Sequence, residues 1–494
     1  MSELESAARA VLLAGFAGPA VPSWLPRDLD QGLGGVCLYG NNVAPGHDLA
    51  DLSRKLRDLA PTAVLAVDEE GGDVTRLHAT TGSPYAGPSV LGRLDSPSVT
   101  RAVAAGIGAE LADAGIWLDL APCADVNSDP LNPVIGTRSF GADPALVARH
   151  TVAFVEGLAS SGVAASVKHF PGHGDTRTDS HHGLPTVRAS REVLVERELV
   201  PFQAAVEAGA ATVMTSHVVL EALDAHRPAT FSPIVLNDVL RADLGFAGVI
   251  VTDALNMAGA QDGTGIPGAA VRALVAGADL LCLGPDTGAG ASLVPPVVSA
   301  ITRAVREGVL AEQRLLEAAD RVKRLRATWT DRTGAQDLAA ASPASTATID
   351  AARAASAQAV DAAVAAITPM PRARVIQLET TSSPAIGSTQ WGLPSQLGHQ
   401  PIRLGPADLA TTPTPQGPVL IVVRGVTADE QVWRWVQDVM NSNPEARLAE
   451  LGWPDPQLQH QDWSQRVIAT LGSSTASTDA LARALGWSSL GWSS

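Results

Sequence analysis

Short apolar runs alternate with segments of helical periodicity over residues 10 to 284. Eight such runs occur, at residues 10–16, 34–40, 63–70, 116–122, 163–170, 211–218, 248–255 and 278–284. The segments between them space apolar residues three and four apart, and several end in glycine, as helices do at their C termini. Strands that are apolar on both faces are typical of parallel sheets covered by helices. The pattern predicts a (β/α)8 barrel of the TIM type, with a doubly wound open sheet as the alternative.

The composition changes after about residue 330, where a small, polar, Ala/Ser/Pro-rich segment is typical of a linker. The 494 residues also exceed what one compact core usually holds. Strand-like runs at 374–379, 418–425 and 466–472, with the helix-like DEQVWRWVQDVMNS among them, indicate a second α/β unit. We expect a catalytic barrel over 1–335, a linker over 336–347 and a smaller α/β layered domain over 348–494.

Charge and hydropathy limit the partners of this chain. A formal net charge of −16 repels a polyanion, and no basic patch offsets it, so we expect no nucleic-acid binding. The chain has no run of about 18 uncharged apolar residues, and its N terminus is acidic where a secretory signal is basic. The separated cysteines Cys37, Cys123 and Cys282 suit buried, reduced thiols. We therefore expect no membrane association and a cytoplasmic location.

Two common catalytic signatures are absent, and a third lies in the wrong context. Neither the phosphate loop GxxxxGK[ST] nor the GxSxG elbow of serine hydrolases occurs. A GxGxxG string at 263–268 contains Pro267, and the carboxylate after it, Asp279, comes too soon to bind a ribose. We expect no organic cofactor and no metal.

Polar side chains follow five consecutive predicted strands. In a barrel of this kind the carboxyl ends of the strands form the face where chemistry is assembled. The polar clusters begin at Asp68, at Asp125 in the long loop after the fourth run, at Lys168, at His217 and at Asp253. Each has a simpler interpretation: Asp253 alone suits a helix cap, and the histidines and aspartates of 169–182 suit a metal cluster, although their spacing does not favour one. These simpler interpretations would all have to be correct at once for clusters on one face of the barrel, so together they are disfavoured relative to a shared active site.

Four segments carry a family resemblance. KHFPGHGDTRTDSH at 168–181, VDEEGG at 67–72, IGTRSFG at 135–141 and VTDALNM at 251–257 resemble the β-N-acetylglucosaminidase branch of glycoside hydrolase family 3. The resemblance covers residues from about 5 to 330, and the fourteen-residue loop is its most specific part.

The resemblance implies a retaining mechanism with a covalent glycosyl-enzyme. By motif position the nucleophile is Asp253, and a carboxylate at a buried strand end is also rigid. The resemblance further implies that the acid/base is His181, with Asp179 as its orienting partner. A carboxylate beside an imidazole fixes the tautomer and keeps the pKa of the imidazole near working pH.

The substrate-binding residues also come from the resemblance. Asp68 would accept hydrogen bonds from the outer hydroxyls of the sugar, and Arg76 would support Asp68. The remaining predicted binding residues are Arg138, Lys168, His169 and Met257. Glu69 and Asp73 stand where the family often has glutamine and a basic residue, so the rim is more acidic than usual and suits a strongly anionic aglycone poorly.

We therefore expect an exo-acting β-N-acetylhexosaminidase that releases terminal N-acetylglucosamine from small glycosides. Muropeptide-type fragments, as in peptidoglycan recycling, or chitin-derived fragments are the expected substrates, and a small carbohydrate is the only expected partner. Three alternatives stay open: a phosphorylase of the same fold, a metal-dependent hydrolase and a non-catalytic sugar-binding protein. Intact Asp253, Asp179 and His181 argue against the last, because binding alone requires neither a nucleophile nor an acid.

Overall fold

A computed structural model describes residues 1–43, 47–180, 183–261, 263–285, 292–333, 343–380, 386–387, 391–393 and 401–487. Its largest sheet has eight parallel strands: Leu12–Ala14, Gly35–Leu38, Val64–Val67, Leu118–Asp119, Ala164–Phe170, Thr212–Thr215, Val249–Val251 and Leu281–Cys282. They are neighbours in chain order, and the first also pairs with the eighth. A bridge between Val251 and Leu280 joins the seventh and eighth. The sheet is a nearly closed barrel, which confirms the predicted fold.

Helices cover the outside of the barrel, and their ends match local sequence signals. Asp143 caps one helix by accepting a hydrogen bond from the Leu146 backbone N–H at 2.7 Å. Gly277 ends another with a φ of 124°. The helices of this part are Glu3–Ala10, Leu25–Asp30, Leu49–Leu59, Pro88–Leu94, Pro97–Asp113, Pro144–Ser160, Arg191–Val193, Leu199–Glu207, Gly265–Ala276, Val294–Arg306 and Glu312–Thr333, with π-helical segments Leu194–Glu198 and Ile234–Asp243.

The barrel strands are buried on both faces. Inward side chains such as Leu13, Val64, Leu118 and Met214 form a cluster inside the barrel, and outward ones pack against the helices. All three cysteines are buried and free. A three-stranded sheet of Thr186–Val187, Val219–Leu220 and Asp224–Pro228 lies outside the barrel sheet. The packed interior leaves only the loop-bearing ends of the barrel for binding a ligand.

A separate parallel sheet follows in the C-terminal part. Its five strands lie in the order Ile402–Leu404, Arg374–Leu378, Val419–Val423, Ala446–Glu450 and Val467–Ala469. The helices here are Pro406–Leu409, Glu430–Ser442, Pro456–Gln459 and Thr475–Ala484. Three strands and the helix at 430–442 coincide with the sequence patterns, and a smaller α/β domain is confirmed. Two strands were missed: Ile402–Leu404 is a short, partly exposed edge, and Ala446–Glu450 contains charged residues.

A long helix, Pro343–Val364, lies between the two sheets in sequence. It begins inside the segment 336–347 that we interpreted as a linker, and residues 336–342 lie outside the described residues. Ala352 of this helix belongs to the core cluster of the barrel, and Arg353 pairs with Glu110 at 2.7 Å. The division of the chain at 335 and 347 stays a prediction.

Within the described part of the chain, every helix is too short or too polar to cross a bilayer.

Candidate active site

A cavity of about 550 Å³ opens at the carboxyl ends of the barrel strands. Volumes of roughly 300–1,000 Å³ are typical of small-ligand sites. The pocket brings together seven of the nine predicted site residues: Asp68, Arg76, Arg138, Lys168, His169, Asp253 and Met257. Asp179 lies instead in a neighbouring cleft that shares Arg138 with this pocket. His181 lies outside the described residues.

Asp68 and Glu70 both meet Lys168, which comes from the end of the fifth strand. The Lys168 Nζ lies 2.6 Å from Asp68 Oδ1 and 2.7 Å from Glu70 Oε1, and the lysine is only 1% exposed. Burial alone would lower the pKa of the Lys168 ammonium, but the two carboxylates outweigh it and raise that pKa above its usual value. The ammonium is therefore a fixed cation in the wall of the pocket.

Glu70 also receives the guanidinium of Arg138. Arg138 Nε donates to Glu70 Oε2 at 3.0 Å, and Nη2 donates to Oε1 at 2.7 Å, a bidentate pair with good geometry. Burial would raise the pKa of the Glu70 carboxyl, but Arg138 and Lys168 outweigh burial and hold that pKa well below its usual range. Glu70 thus holds both cations at the pocket.

The turn that carries Arg138 is held by side chains of its own long loop. Asn132 Oδ1 accepts hydrogen bonds from the backbone N–H groups of Val134 and Ile135 at 3.0 and 2.8 Å. Asn127 Oδ1 accepts one from the Gly136 N–H at 3.2 Å. These two asparagines therefore hold the turn that positions Arg138.

His169 is oriented by Asp125, a fully buried carboxylate from the loop after the fourth strand. Its Nδ1 lies 2.7 Å from Asp125 Oδ2, and its Nε2 lies 3.3 Å from Nη2 of Arg138. Because arginine only donates, the contact requires an unprotonated Nε2, so Nδ1 carries the proton that Asp125 accepts. Burial would raise the pKa of Asp125, yet His169 and other donors lower it to about 2.

Asp253 lies two residues after the end of the seventh strand and is half-buried. Its Oδ1 accepts a hydrogen bond from the Ala254 N–H at 2.7 Å. The preceding residue is fixed on both sides: the Thr252 N–H donates to the Leu280 carbonyl, and Thr252 Oγ1 accepts from the Cys282 N–H at 2.9 Å. The carboxylate therefore stands on a rigid strand end and borders the pocket.

The loop after the fifth strand is anchored by His173. This imidazole is buried, with Nδ1 2.9 Å from Thr176 Oγ1 and Nε2 3.1 Å from Ser180 Oγ. Burial lowers the pKa of His173 to about 4, so the ring is neutral at pH 7. Ser180 adjoins Asp179, which is 8% exposed. His173 therefore contributes to the shape of the loop that carries the predicted acid/base pair.

A metal cluster in this loop was one sequence hypothesis. Among the described residues, one group of three potential ligands lies close together, namely Cys123, Asp125 and His169. Asp125 already accepts hydrogen bonds from both of its neighbours, at 3.1 Å from Cys123 Sγ and 2.7 Å from His169 Nδ1. Asp175 pairs with Arg197 at 2.6 Å. Hydrogen bonding accounts for these contacts.

Sequence reasoning gave no role to several residues of the site. Glu70 and Asp125 are the most consequential, because they fix three of the predicted binding residues. Glu70 was detectable, since it stands two residues after Asp68 and alternate residues near a strand end point to the same side. The pocket also contains Tyr39, Met214, Asn256 and Cys282, and Tyr39 Oη lies 2.8 Å from Cys282 Sγ.

Known proteins are similar to this chain in both sequence and fold. The model of the glycosyl hydrolase family 3 N-terminal domain matches residues 26–325. Beta-hexosaminidase A of Pseudoalteromonas piscicida is 35% identical over 287 residues, which cover 53% of this chain and 48% of that protein, so the chain spans about half of its length. Beta-hexosaminidase of Stenotrophomonas maltophilia (strain K279a) is 35% identical over 282 residues, 55% of this chain and 82% of that protein.

A solved structure that matches nearly the whole chain illustrates the likeness of fold. It is a glycoside hydrolase family 3 beta-N-acetylglucosaminidase from Paenibacillus sp. str. FPU-7, 27% identical, with a TM-score of 0.81 and coverage of 98% of this chain and 97% of that one. The likeness therefore includes the C-terminal sheet, for which the sequence offered no motif. Together with the family match, it confirms the predicted enzyme class. The chain belongs to glycosyl hydrolase family 3 and is a glycoside hydrolase.

Proposed function

We propose that this protein is a retaining exo-β-N-acetylhexosaminidase that releases terminal N-acetylglucosamine from small glycosides. The observation that carries the proposal is the pocket itself. Asp68, Lys168, Arg138 and His169 lie within one cavity, on whose border Asp253 stands. The beta-hexosaminidase names of the sequence relatives support the acetamido sugar as the glycon.

Substrate recognition is assigned to the charged group around Lys168. Asp68 is partly exposed and accepts hydrogen bonds from sugar hydroxyls, the ammonium and the guanidinium donate to their oxygens, and the unprotonated Nε2 of His169 is an acceptor. Arg76 Nη2 lies 3.8 Å from Asp68 Oδ2 and helps to hold the carboxylate in place. Met257, 8% exposed, supplies an apolar contact at the pocket wall.

The chemical steps are assigned to Asp253 and His181. The Asp253 carboxylate attacks the anomeric carbon, the bond to the leaving oxygen breaks, and that oxygen takes a proton from His181. Water then attacks the same carbon, gives a proton to His181 and releases Asp253, so one water is consumed per bond cleaved. Asp179 orients the imidazole of His181 for both proton transfers.

A substrate panel tests the reaction class. We expect turnover of the 4-nitrophenyl β-glycoside of N-acetylglucosamine, with far less turnover of the glucoside and the xyloside, and no dependence on phosphate. If a sugar 1-phosphate were the main product in phosphate buffer, the enzyme would be a phosphorylase and the proposed hydrolysis would be wrong. Preference for the glucoside would contradict the acetamido specificity.

Exhaustive chelation distinguishes the proposed metal-free mechanism from that of a metal-dependent hydrolase. The proposed acid/base and nucleophile require no ion, so we expect activity to survive dialysis against a strong chelator. If chelation abolished the activity and added zinc restored it, the reaction would be metal-dependent.

A further inference from the structure

A second cleft, of about 730 Å³, lies between the barrel and the C-terminal sheet. One wall is the 130–138 loop of the barrel, and the other is formed by loops after two C-terminal strands, which contribute Arg424 and Trp453. Arg138 and the predicted orienting residue Asp179 line it as well. Because Arg138 borders both cavities, the cleft adjoins the sugar pocket.

The two walls are tied together by direct contacts. Asp73, beside the barrel pocket, accepts hydrogen bonds from the Ser473 backbone N–H at 2.6 Å and from Ser473 Oγ at 2.7 Å. Its other oxygen accepts from Thr137 Oγ1 at 2.7 Å. A Cβ at Gly136 would lie 3.4 Å from the Cβ of Trp453, so the indole-bearing residue packs against the turn that carries Arg138. The cleft therefore has a defined shape.

The carboxylates of the cleft are held by hydrogen bonds from its own walls. Glu450 accepts three, from the backbone N–H groups of Gly425, Val426 and Gly452 at 2.8, 3.0 and 2.7 Å. Asp455 accepts one from the Gln457 N–H at 2.7 Å. These acids hold loops in place and have little capacity left to bind a ligand.

The cations of the cleft are also engaged. Arg138 is paired with Glu70, and Arg424 donates to Ser473 Oγ at 3.3 Å while its guanidinium lies 4.9 Å from the centre of the Trp391 ring. The described lining thus contains two guanidinium groups against four acidic side chains, Asp73, Asp179, Glu450 and Asp455. The acidic groups outnumber the basic ones even without Glu450, because burial raises the pKa of that carboxyl to about 7. An anionic ligand would meet net repulsion, whereas a neutral one would not.

We propose that this cleft is the leaving-group subsite of the enzyme and that it takes a neutral pyranose, with Trp453 as the apolar surface on which the sugar packs. The inference rests on the proposed function and narrows its substrates to neutral oligosaccharides such as chitin fragments, as against fragments whose second sugar carries carboxylates. Trp453 is half-buried, so part of its ring is available for the C–H face of a sugar.

The test compares substrates with and without a leaving-group sugar. N,N′-diacetylchitobiose has a neutral second sugar, N-acetylglucosaminyl-N-acetylmuramic acid has an anionic one, and β-N-acetylglucosaminyl fluoride has none. We expect kcat/KM of the wild-type enzyme to be about tenfold higher for the neutral disaccharide than for the anionic one. Trp453→Ala should lower kcat/KM for chitobiose about tenfold and leave the fluoride unchanged.

Two further variants complete the design. Trp433→Ala is the matched control, because Trp433 is another half-buried tryptophan of the C-terminal domain and packs against Trp463 outside the cleft. Trp453→Phe should recover part of the loss on chitobiose. Equal losses on chitobiose and the fluoride, or a preference for the anionic disaccharide, would overturn the subsite. An enzyme inactive on all three substrates would instead refute the proposed function.

Discussion

The barrel and the C-terminal sheet both place a buried glutamate at the carboxyl end of a parallel strand, and they stabilise it differently. Glu70 of the barrel lies between an ammonium and a guanidinium at 2.7 Å each. Glu450 of the second sheet accepts hydrogen bonds from three backbone N–H groups, and burial raises its pKa to about 7. The Glu70 site therefore holds full charges close together, whereas burial at Glu450 favours the neutral carboxyl.

This difference matches what each region has to contact. A glycon pocket discriminates hydroxyl groups, and charged donors and acceptors in fixed positions do so well. A surface that joins two domains and contacts a neutral ligand requires shape, which backbone hydrogen bonds and apolar packing provide. We therefore expect substitutions in the barrel pocket to affect chemistry on every substrate, and substitutions around Glu450 to affect chiefly the stability of the second domain.

The largest expected effect is that of Asp253→Ala. Without the nucleophile, turnover of N-acetylglucosaminides should fall on the order of 10⁴-fold or more. A slow fluorinated N-acetylglucosaminide should label Asp253 of the wild-type enzyme, as peptide mass spectrometry would detect. Asp224→Asn, which alters a buried carboxylate that accepts from Ser232 Oγ at 2.7 Å, is the control and should keep turnover. Labelling of Glu69 or Glu70 would reassign the nucleophile.

The second effect depends on the leaving group. His181→Ala should slow cleavage of chitobiose by roughly 10²- to 10⁴-fold but barely affect a nitrophenyl glycoside, because a phenolate leaves without protonation whereas an alkoxide needs a proton. The adjacent His182 offers a matched control, and His182→Ala should lose little on either substrate. Equal losses on both substrates in His181→Ala would make that histidine structural, and another residue would have to supply the proton.

Strand predictions succeeded where a short segment carries its own signal. Each barrel strand is apolar on both faces. Asp68 directly follows the third strand, Lys168 lies near the end of the fifth, and Asp253 stands two residues after the seventh. Glu70 and Asp125 received no role because their partners, Arg138 and His169, lie far along the chain. The cleft beside Trp453 was not predictable from local pattern, since it exists only after the two domains dock.

A smaller effect is expected from Glu70→Gln. This change removes the charge that Lys168 and Arg138 share, so both cations should lose their fixed positions and kcat/KM should fall roughly 10²-fold on every substrate. The loss should be equal for chitobiose and the nitrophenyl glycoside, unlike that of His181→Ala. Glu69→Gln is the control, because Glu69 accepts from the Arg76 and Leu77 N–H groups at 2.8 and 3.0 Å outside the pocket. A substrate-dependent loss would give Glu70 a role in proton transfer.

The smallest effect concerns stability against pH and tests the contrast between Glu70 and Glu450. Burial raises the pKa of Glu450 to about 7, so the folded state binds this proton more tightly than the unfolded state, whose glutamate titrates near 4.5. Its contribution to stability is therefore complete below pH 4.5 and is lost as the pH rises through 7, by roughly 2 kcal/mol between pH 5 and 7. Glu70, whose pKa is lowered, contributes with the opposite sign: its stabilisation is present above pH 4.5 and is lost on acidification.

Glu450→Gln should remove this dependence on pH. Urea unfolding at pH 5, 6, 7 and 8, followed by tryptophan fluorescence, reports chiefly on the C-terminal domain, because seven of the ten tryptophans lie from Trp391 onward. We expect the free energy of unfolding of the wild-type protein, relative to that of Glu450→Gln, to decline between pH 5 and 7. A constant difference across this range would mean that Glu450 stays ionised when folded. Three backbone N–H groups would then suffice to hold a buried carboxylate charged, and the contrast with Glu70 would reduce to which donors each glutamate uses.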